Sequence, residues 1–298
     1  MLNRQYSHIL CRVASEIFLK GKNQRQFTSK LVANIKIQTG QEKVYTQRGR
    51  ILLPFFKEHH KLQLVFGIQT YSPAVFIETN NVTEEYLEEI QTIAIKLMQK
   101  SEGTFHIQTK RSDKTFPLTS VQVNHKMGEQ IEASNKDITF KLKSPDHILG
   151  IEITQKGTFV YNQQIKCEGG LPAGKEGEAV IEIKDEREVI AALLMMKRGV
   201  EIKFVKNQSF TNYQELIQNF FPKKLKTVPS VEVYQENCNN QKNQPCIVVD
   251  GKDIETRAEG ILTDQIQNAM ILSPIVAWTK GQVMKEFQRY KNLSEINS

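Results

Sequence analysis

Apolar residues recur every three or four positions in some segments of the chain and every second position in others, which predicts alternating helices and strands. Over residues 1–78 the pattern predicts a strand, a helix from Asn23 to about Ile37, a hairpin turning at Arg48-Gly49-Arg50, a short helix in "HKLQLVFG" and a strand in "PAVFIET". In the first helix, Phe27, Leu31 and Ile35 share one face. This β-α-β-β-α-β order predicts a ferredoxin-like domain.

A second α/β module is predicted over residues 79–168. Thr83 is predicted to cap the helix "EEYLEEIQTIAIKLMQK", which has Glu84 and Glu85 in its first turn, where the helix dipole favours anions. Next come the strand "TFHIQTKR", the helix "SVQVNHKMGEQIEAS" and the strands "HILGIEIT" and "TFVYNQQI". Glycines and a proline crowd the segment "KCEGGLPAGKEGE" at 166–178, so we expect a linker there.

The third domain is predicted over residues 169–298 and alternates strand and helix. In chain order its segments are "AVIEI", "REVIAALLMMKRG", "VEIKFV", "TNYQELIQNFF", "SVEVYQE" and "CIVVD", which places "SVEVYQE" at a strand position. Short apolar runs that alternate with helical patterns indicate a mostly parallel sheet. The predicted fold class is therefore α/β, with an α+β N-terminal half.

Charge is distributed unevenly along the chain. The protein carries a net charge of +7, but residues 1–60 hold 11 Lys and Arg against 3 Asp and Glu. A positive face of this kind favours a polyanionic partner, nucleic acid first, although a solvated lysine-rich surface produces the same composition. We expect no membrane span, because no apolar run approaches the roughly 18 residues that one needs. Four scattered cysteines fit a reducing cytoplasm.

Two basic segments are candidates for phosphate contacts. In "EIFLKGKNQRQF" the side chains of Lys20, Lys22 and Arg25 surround Gly21 at the start of a helix, where free backbone amides also face outward. In "HIQTKRSDKTFPLTS" a strand ends in basic residues and a helix begins at two hydroxyl residues, giving the candidates Lys110, Arg111, Lys114, Thr119 and Ser120. Ordinary helix capping and surface charge are the alternatives for both.

Taken in order, these segments resemble the tRNA 4-thiouridine synthetase (ThiI) family. The matching residues are the two basic segments together with "SPD" at 144–146, "GGLPAG" at 169–174 and "MKRGV" at 196–200. The resemblance implies a ferredoxin-like domain (1–78), a THUMP domain (79–168) and a PP-loop domain of the adenine nucleotide α-hydrolase type (169–298). In that family the first two bind tRNA, mainly its acceptor stem and 3′ end. The third adenylates uridine with ATP before sulfur arrives from a cysteine persulfide.

The nucleotide loop departs from the family pattern. Family members carry Ser-Gly-Gly-x-Asp-Ser before the helix that ends in Met-Lys-Arg-Gly, whereas this chain has, at those six positions, Ile183, Lys184, Asp185, Glu186, Arg187 and Glu188. Glycines let backbone amides approach ATP phosphates, and two carboxylates there add negative charge instead. Two unit charges about 4 Å apart repel by roughly 4 kcal/mol at an effective dielectric near 20. We therefore expect a degenerate PP-loop, and an eroded nucleotide-closing segment at 259–290.

Further candidates are weaker. The family's sulfur-accepting cysteine often lies in a region beyond the length of this chain, and Cys238 and Cys246, the nearest thiols, are expected to be inert. Adjacent His59 and His60 diverge on a helix, so we expect no metal site. Trp278 is expected in the core or an interface.

The sequence thus predicts a cytoplasmic tRNA-binding protein without catalytic residues or cofactor, serving as a platform or accessory subunit in tRNA modification. A catalytic protein partner and a homodimer fit this prediction. Two alternatives stay open. One is an active tRNA sulfurtransferase that uses ATP through an atypical loop or a partner subunit. The other is a protein-interaction subunit whose basic face contacts an acidic protein.

Overall fold

A computed structural model describes residues 6–47, 49–78, 83–240, 245–258 and 269–296. They fall into two compact units. The first unit comprises Met1–Cys11, Tyr45–Lys57 and Tyr71–Ile165, and the second comprises Arg12–Val44, Glu58–Thr70 and Lys166–Ser298. Each unit is described by itself below.

The first unit contains most of a mixed sheet. Its strands are β1 (His8–Val13), β2 (Tyr45–Gln47), β3 (Arg50–Pro54), β4 (Ile68–Glu78), β5 (Gly103–Arg111), β6 (Ile138–Phe140), β7 (His147–Thr154), β8 (Gly157–Tyr161) and β9 (Ile165–Lys166). The strand order is β2-β3-β1-β4-β8-β7-β5-β6, with β9 paired to β4. The predicted hairpin is confirmed as β2–β3, with Gln47 opposite Arg50, while Arg48 lies outside the described residues.

Two amphipathic helices bury the apolar side chains of this sheet. Helix α3 (Glu84–Met98) begins at Thr83, whose hydroxyl accepts the Tyr86 amide, as predicted. Helix α4 (Ser120–Ser134) matches its predicted bounds. Their buried residues form one cluster with those of β5 and β7, including Ile90, Phe105, Met127 and Ile151. The two helices that precede α3 in the chain are the short α1 (Ser15–Phe18) and α2 (Gln24–Thr39).

Helix α2 lies in the second unit and is preceded by a 3-10 turn at Gly21–Asn23. Asn23 is its N-cap residue, but the Asn23 side chain makes no capping hydrogen bond. Phe27, Leu31 and Ile35 are buried, as their spacing predicts. The second predicted helix of the ferredoxin-like pattern is a 3-10 helix at His59–Leu64.

A parallel sheet of five strands forms the rest of the second unit. In chain order its elements are β10 (Glu178–Ile181), α5 (Glu186–Lys197), β11 (Glu201–Val205), α6 (Gln208–Asn219), β12 (Lys226–Val228), α7 (Val231–Asn239), β13 (Ile247–Val249), α8 (Ile254–Ala258), β14 (Met270–Leu272) and α9 (Lys280–Ile296). The strand order is β12-β11-β10-β13-β14, and every pair is parallel. The predicted parallel α/β arrangement is confirmed.

The strand position assigned to "SVEVYQE" was wrong, because that segment forms α7. Ser230 caps the helix by accepting the Val233 amide, and Tyr234 and Cys238, four residues apart, are its buried residues. The sequence Val-Glu-Val-Tyr satisfies a two-residue alternation as well as a helical face, so the pattern alone could not decide. The strand at this point is the preceding β12, which the pattern missed.

The glycine-rich segment 166–178 is not a free linker. Its backbone pairs with the start of β4 through Cys167 N to Gln69 O (3.0 Å) and Gly169 N to Ile68 O (2.8 Å). One hydrophobic core also joins Leu64 and Phe66 to the helices and strands that follow residue 178. The predicted domain limits at 78 and 168 stay predictions, since domains and compact packing units need not coincide.

Candidate nucleic-acid and nucleotide sites

The basic segment that leads into α2 holds both paired and free cations. Lys20 is half-buried, forms an ion pair with Glu176, and its ammonium lies 4.9 Å from the centre of the Phe27 ring. Lys22 and Arg25 are exposed, and no carboxylate of the described residues lies within 4 Å of either. The two free side chains are therefore better placed than Lys20 to reach a phosphate.

The candidates at the end of β5 differ in the same way. Lys110 and Lys114 are exposed. Arg111 is half-buried and donates Nη1 to the carbonyl of Phe116 at 3.1 Å, which ties the strand end to the following loop. Its Nε is buried and has no hydrogen-bond partner among the described residues. Arg111 thus holds the loop while one donor is left unused.

Thr119 and Ser120 lie at the start of α4, where Thr119 closes a capping box. Its hydroxyl accepts the Gln122 amide at 3.2 Å, and the Gln122 side chain accepts the Thr119 amide at 2.8 Å. The Thr119 hydroxyl also donates to Gln122 Oε1 at 2.9 Å. The groups that Thr119 was expected to offer to a phosphate are therefore engaged by its own helix.

At residues 183–188, where the family has its nucleotide loop, a carboxylate of the protein itself binds the backbone amides at the start of α5. Asp185 is the N-cap, and its side chain accepts the Arg187 amide at 2.8 Å. Glu188 reaches back and accepts the amides of Asp185 at 3.0 Å and Lys184 at 3.3 Å. A helix N-terminus attracts anions through such amides, and here they already bind a buried carboxylate.

Charges around this turn pair with one another. Burial raises the pKa of Glu188 above its usual range. Burial alone would also raise the pKa of Asp185, but two-pronged hydrogen bonding from Arg187 (2.7–3.1 Å) outweighs it and lowers that pKa. Glu186 accepts the Tyr213 hydroxyl at 2.9 Å, and burial followed by this contact raises the pKa of Tyr213 to about 12. Ile183 is buried, and its carbonyl accepts from Asn207 at 2.9 Å.

Two cavities beside the turn are rich in carboxylates. One, of about 370 Å³, is lined by the carboxylates of Asp185, Glu186, Asp253 and Glu255 and by only two cations, Arg187 and Lys280. The other, of about 340 Å³, is lined by four carboxylates and two lysines. A triphosphate would meet net negative charge in both, so the residues present do not fit ATP phosphates.

The lesser candidates add little chemistry. Cys238 and Cys246 are buried, and burial together with the neighbouring Cys238 raises the pKa of the Cys246 thiol to about 11, which disfavours a thiolate. Trp278 packs against the core of the second unit, as predicted. In the described part of the chain no three His, Cys, Asp or Glu residues are grouped to hold a metal ion. In the segment 259–290, predicted to be an eroded nucleotide-closing segment, residues 259–268 lie outside the described residues.

Comparison with known proteins assigns two domains to the first half of the chain. The model of the ThiI ferredoxin-like domain matches residues 8–72, and the THUMP domain model matches residues 84–162. A probable tRNA sulfurtransferase of Mycoplasmopsis agalactiae is 36% identical over 202 residues, which is 67% of this chain and 51% of that protein. The chain belongs to the ThiI family. It spans about half the length of the curated relatives it matches.

Two solved structures share the fold of this ThiI-family chain. The protein PH1313 of Pyrococcus horikoshii matches with a TM-score of 0.78 and 23% identity, covering 96% of this chain and 99% of its own. A 4-thiouridine synthetase crystallised with RNA and ATP matches with a TM-score of 0.76 and 22% identity, covering 98% and 86%. The predicted order of a ferredoxin-like domain, a THUMP domain and a PP-loop-like α/β sheet is therefore confirmed. No helix in the described ranges is long and apolar enough to cross a membrane.

Proposed function

We propose that this ThiI-family protein binds tRNA through its ferredoxin-like and THUMP domains and does not adenylate it. The absence of adenylation is inferred from the start of α5, where the Glu188 carboxylate accepts hydrogen bonds from the amides of Lys184 and Asp185. A PP-loop presents such amides to ATP phosphates, so a carboxylate in their place removes the phosphate site. The third domain then serves as scaffold, or as a docking surface for a separate catalytic protein.

Exposed cations support the RNA-binding half. Lys22 and Arg25 lie at the start of α2, and Lys110 and Lys114 lie at the end of β5 and just after it, each exposed and free to meet a phosphate. The related synthetase of the same fold was crystallised with RNA. We extend to this chain the family preference for the acceptor stem and 3′ end, acting in the cytoplasm, as a monomer or homodimer.

Fluorescence titration of tRNA tests this function. Purified protein is titrated across salt concentrations with tRNA, with acceptor-stem minihelices carrying or lacking the 3′ CCA, and with generic duplex RNA. We expect tighter binding of tRNA and a dependence on the 3′ end. Replacing Lys22 and Arg25 by Gln is expected to weaken binding and reduce the slope of log K against log[salt] by about two, because each lost phosphate contact removes counterion release. Binding equal to generic duplex would overturn the proposal.

A calorimetric titration with Mg-ATP measures whether the protein binds ATP, and so tests the proposal that it does not adenylate tRNA. We expect no saturable heat at millimolar nucleotide. Saturable ATP binding would contradict this half and favour the second candidate, an active tRNA sulfurtransferase, which the names of the relatives support. Adenylation appearing only with an added partner protein would identify the accessory role.

A further inference from the structure

A cluster of lysines in the second unit extends the positive surface beyond the loop that the sequence singled out. The cluster consists of Lys30 on α2, Lys175 in the glycine-rich segment and Lys223 after α6. Lys30 and Lys175 are half-buried and Lys223 is exposed. An ideal Cβ atom on Gly174 would lie 3.4 Å from the Lys30 ammonium and 3.6 Å from a Glu201 carboxylate oxygen, so both groups lie beside the backbone of the glycine-rich segment.

The backbone that carries Lys175 is fixed in place. Asn34 on α2 donates to the carbonyl of Ala173 at 3.1 Å, and the amides of Lys175 and Glu176 both donate to the carbonyl of Gly199 at 2.7 and 2.8 Å. The Lys175 ammonium donates to Gln26 at 3.0 Å. Its position is therefore set before any ligand arrives, which lowers the entropy lost on binding.

Positive charge exceeds negative charge around the cluster. Three carboxylates, those of Glu176, Glu178 and Glu201, are in ion pairs with Lys20, Lys203 and Lys226. The three lysines of the cluster are additional to those pairs, and none has a carboxylate of the described residues within 4 Å. Burial and the charges of Lys223 and Lys175 lower the pKa of Lys30 and outweigh the opposing attraction of Glu201. The lysines of the cluster repel one another, and a bound anion would reduce that repulsion, so the cluster favours anion binding.

We propose that Lys30, Lys175 and Lys223 bind backbone phosphates of RNA, carrying the RNA surface from the loop at Lys22 and Arg25 onto the third domain. The inference rests on the proposed tRNA binding. The cluster adjoins the start of α2, because the Lys175 ammonium donates to Gln26, the residue after Arg25, at 3.0 Å. Lys30 lies on the same helix, about 7.5 Å along its axis from Arg25 and about 140° around it. A nucleic-acid backbone has regularly spaced phosphates, so three separate lysines can each contact one of them, whereas a single small anion would not contact all three.

Charge-neutral variants test the cluster. Lys30, Lys175 and Lys223 are replaced together by Gln, and tRNA binding is measured by fluorescence from 0.05 to 0.3 M salt, with thermal melting to check folding. We expect affinity at 0.1 M salt to fall roughly tenfold or more, and the salt slope to shrink by about two to three. The matched control replaces Lys206, Lys280 and Lys285, exposed lysines that form no ion pair among the described residues and that lie directly after β11 or on α9.

The control variant is expected to bind within about threefold of the wild type, since its lysines belong neither to the cluster nor to the segment at Lys22 and Arg25 and act on RNA only through long-range attraction that salt screens. A cluster variant that behaves like this control overturns the inference. If the Lys22 and Arg25 variant still weakens binding in that case, the proposed tRNA function stands without the cluster. If wild-type protein shows no preference for tRNA over duplex, the proposed function fails, and the inference with it.

A variant with the opposite expected effect guards against misfolding as an explanation. Glu176→Gln releases Lys20 and removes a negative charge, so we expect tighter RNA binding and a salt slope larger by about one. Weaker binding by this variant would contradict the inference. Competition by polyglutamate as effective as that by tRNA at equal charge would also overturn it, in favour of an acidic protein partner.

Discussion

Gly150 on β7 lies directly beneath a buried aromatic ring. A methyl group added there would lie 2.1 Å from two carbons of the Tyr161 ring, which is 1% exposed. The Tyr161 hydroxyl donates to Glu152 at 3.1 Å, which holds the ring where it is. We expect Gly150→Ala to lower the free energy of unfolding by about 2–3 kcal/mol, the upper range for overpacking a core.

Urea denaturation measures this, with Gly128→Ala as the control. A methyl group on Gly128, within α4, has its nearest neighbour at 3.9 Å, an ordinary contact. That variant is expected to gain about 0.5–1 kcal/mol, since alanine is the better helix former. Equal stability of the two variants would contradict the packing argument.

Thr119 illustrates a residue whose chemistry the sequence left ambiguous. Its hydroxyl could have capped α4 or bound phosphate, and the capping box engages both its hydroxyl and its amide. We expect Thr119→Ala to destabilise the protein by about 1 kcal/mol, and Thr119→Ser to retain the cap. Both are measured by urea denaturation beside tRNA titration. Lost RNA affinity with unchanged stability would return Thr119 to the phosphate site.

A buried carboxylate, that of Glu168, connects helix α9 to the glycine-rich segment. Glu168 accepts hydrogen bonds from Arg289 (Nη2, 2.9 Å) and from the Tyr290 hydroxyl (3.0 Å), with Lys197 at 3.5 Å. Burial alone would raise the pKa of Glu168, but these hydrogen bonds and charges outweigh it and lower that pKa. The glycine-rich segment and α9 are therefore held together by an ion-pair network.

We expect Glu168→Gln to cost roughly 2–3 kcal/mol at pH 7, below the usual 3–5 for breaking a buried pair, because Arg289 is 42% exposed and keeps Glu286 as a partner. A lowered pKa stabilises the fold above the unfolded value near 4.3, and this contribution is lost as pH falls through the folded pKa. The difference between wild type and variant should therefore shrink below about pH 4.3.

Urea denaturation at pH 7, 5, 4 and 3 measures that difference. Glu295→Gln is the control, since this carboxylate is 63% exposed and 4.0 Å from Lys291, and such surface pairs contribute little. A difference that stays constant with pH would show that Glu168 does not act as a charge.

Periodicity predicted elements well wherever a helix face was unambiguous. Helix α4 has its predicted bounds, and the buried face of α2 is the predicted one. The prediction was wrong at α7, where Val-Glu-Val-Tyr is compatible with both periods, so the Ser230 cap and the packing of Tyr234 decided the structure. The Asp-x-x-Glu signature of the α5 capping box was readable in the sequence, whereas the second amide that Glu188 accepts was not.

Across the whole molecule, the hydrophobic core does not follow the order of the chain. Phe66 precedes the THUMP domain, yet it stacks on Phe220 at 5.8 Å and shares a core with the third domain. A fragment of residues 1–168 would expose that apolar surface, and α2 would lose its bonds to Ala173 and Asn219. We expect this fragment to melt well below the full chain, or to aggregate.

The fragment 76–165 is the comparison, because it contains the core cluster that runs from Ile77 to Val160. It should retain a cooperative thermal transition followed by circular dichroism. A stable, monomeric 1–168 fragment would contradict the continuous core and support the predicted limit at residue 168 as a folding boundary.

The sequence by itself determined most of the elements, the order of the ferredoxin-like, THUMP and α/β domains and the absence of glycine at residues 183–188, because these depend on local periodicity and on residue types at fixed spacing. Only the tertiary structure decided which charges are available. It paired Lys20 with Glu176, engaged Thr119 in a cap, and grouped Lys30, Lys175 and Lys223, which are far apart in the sequence. Contacts between distant segments leave no periodic signal in the chain, so the folded molecule alone reveals them.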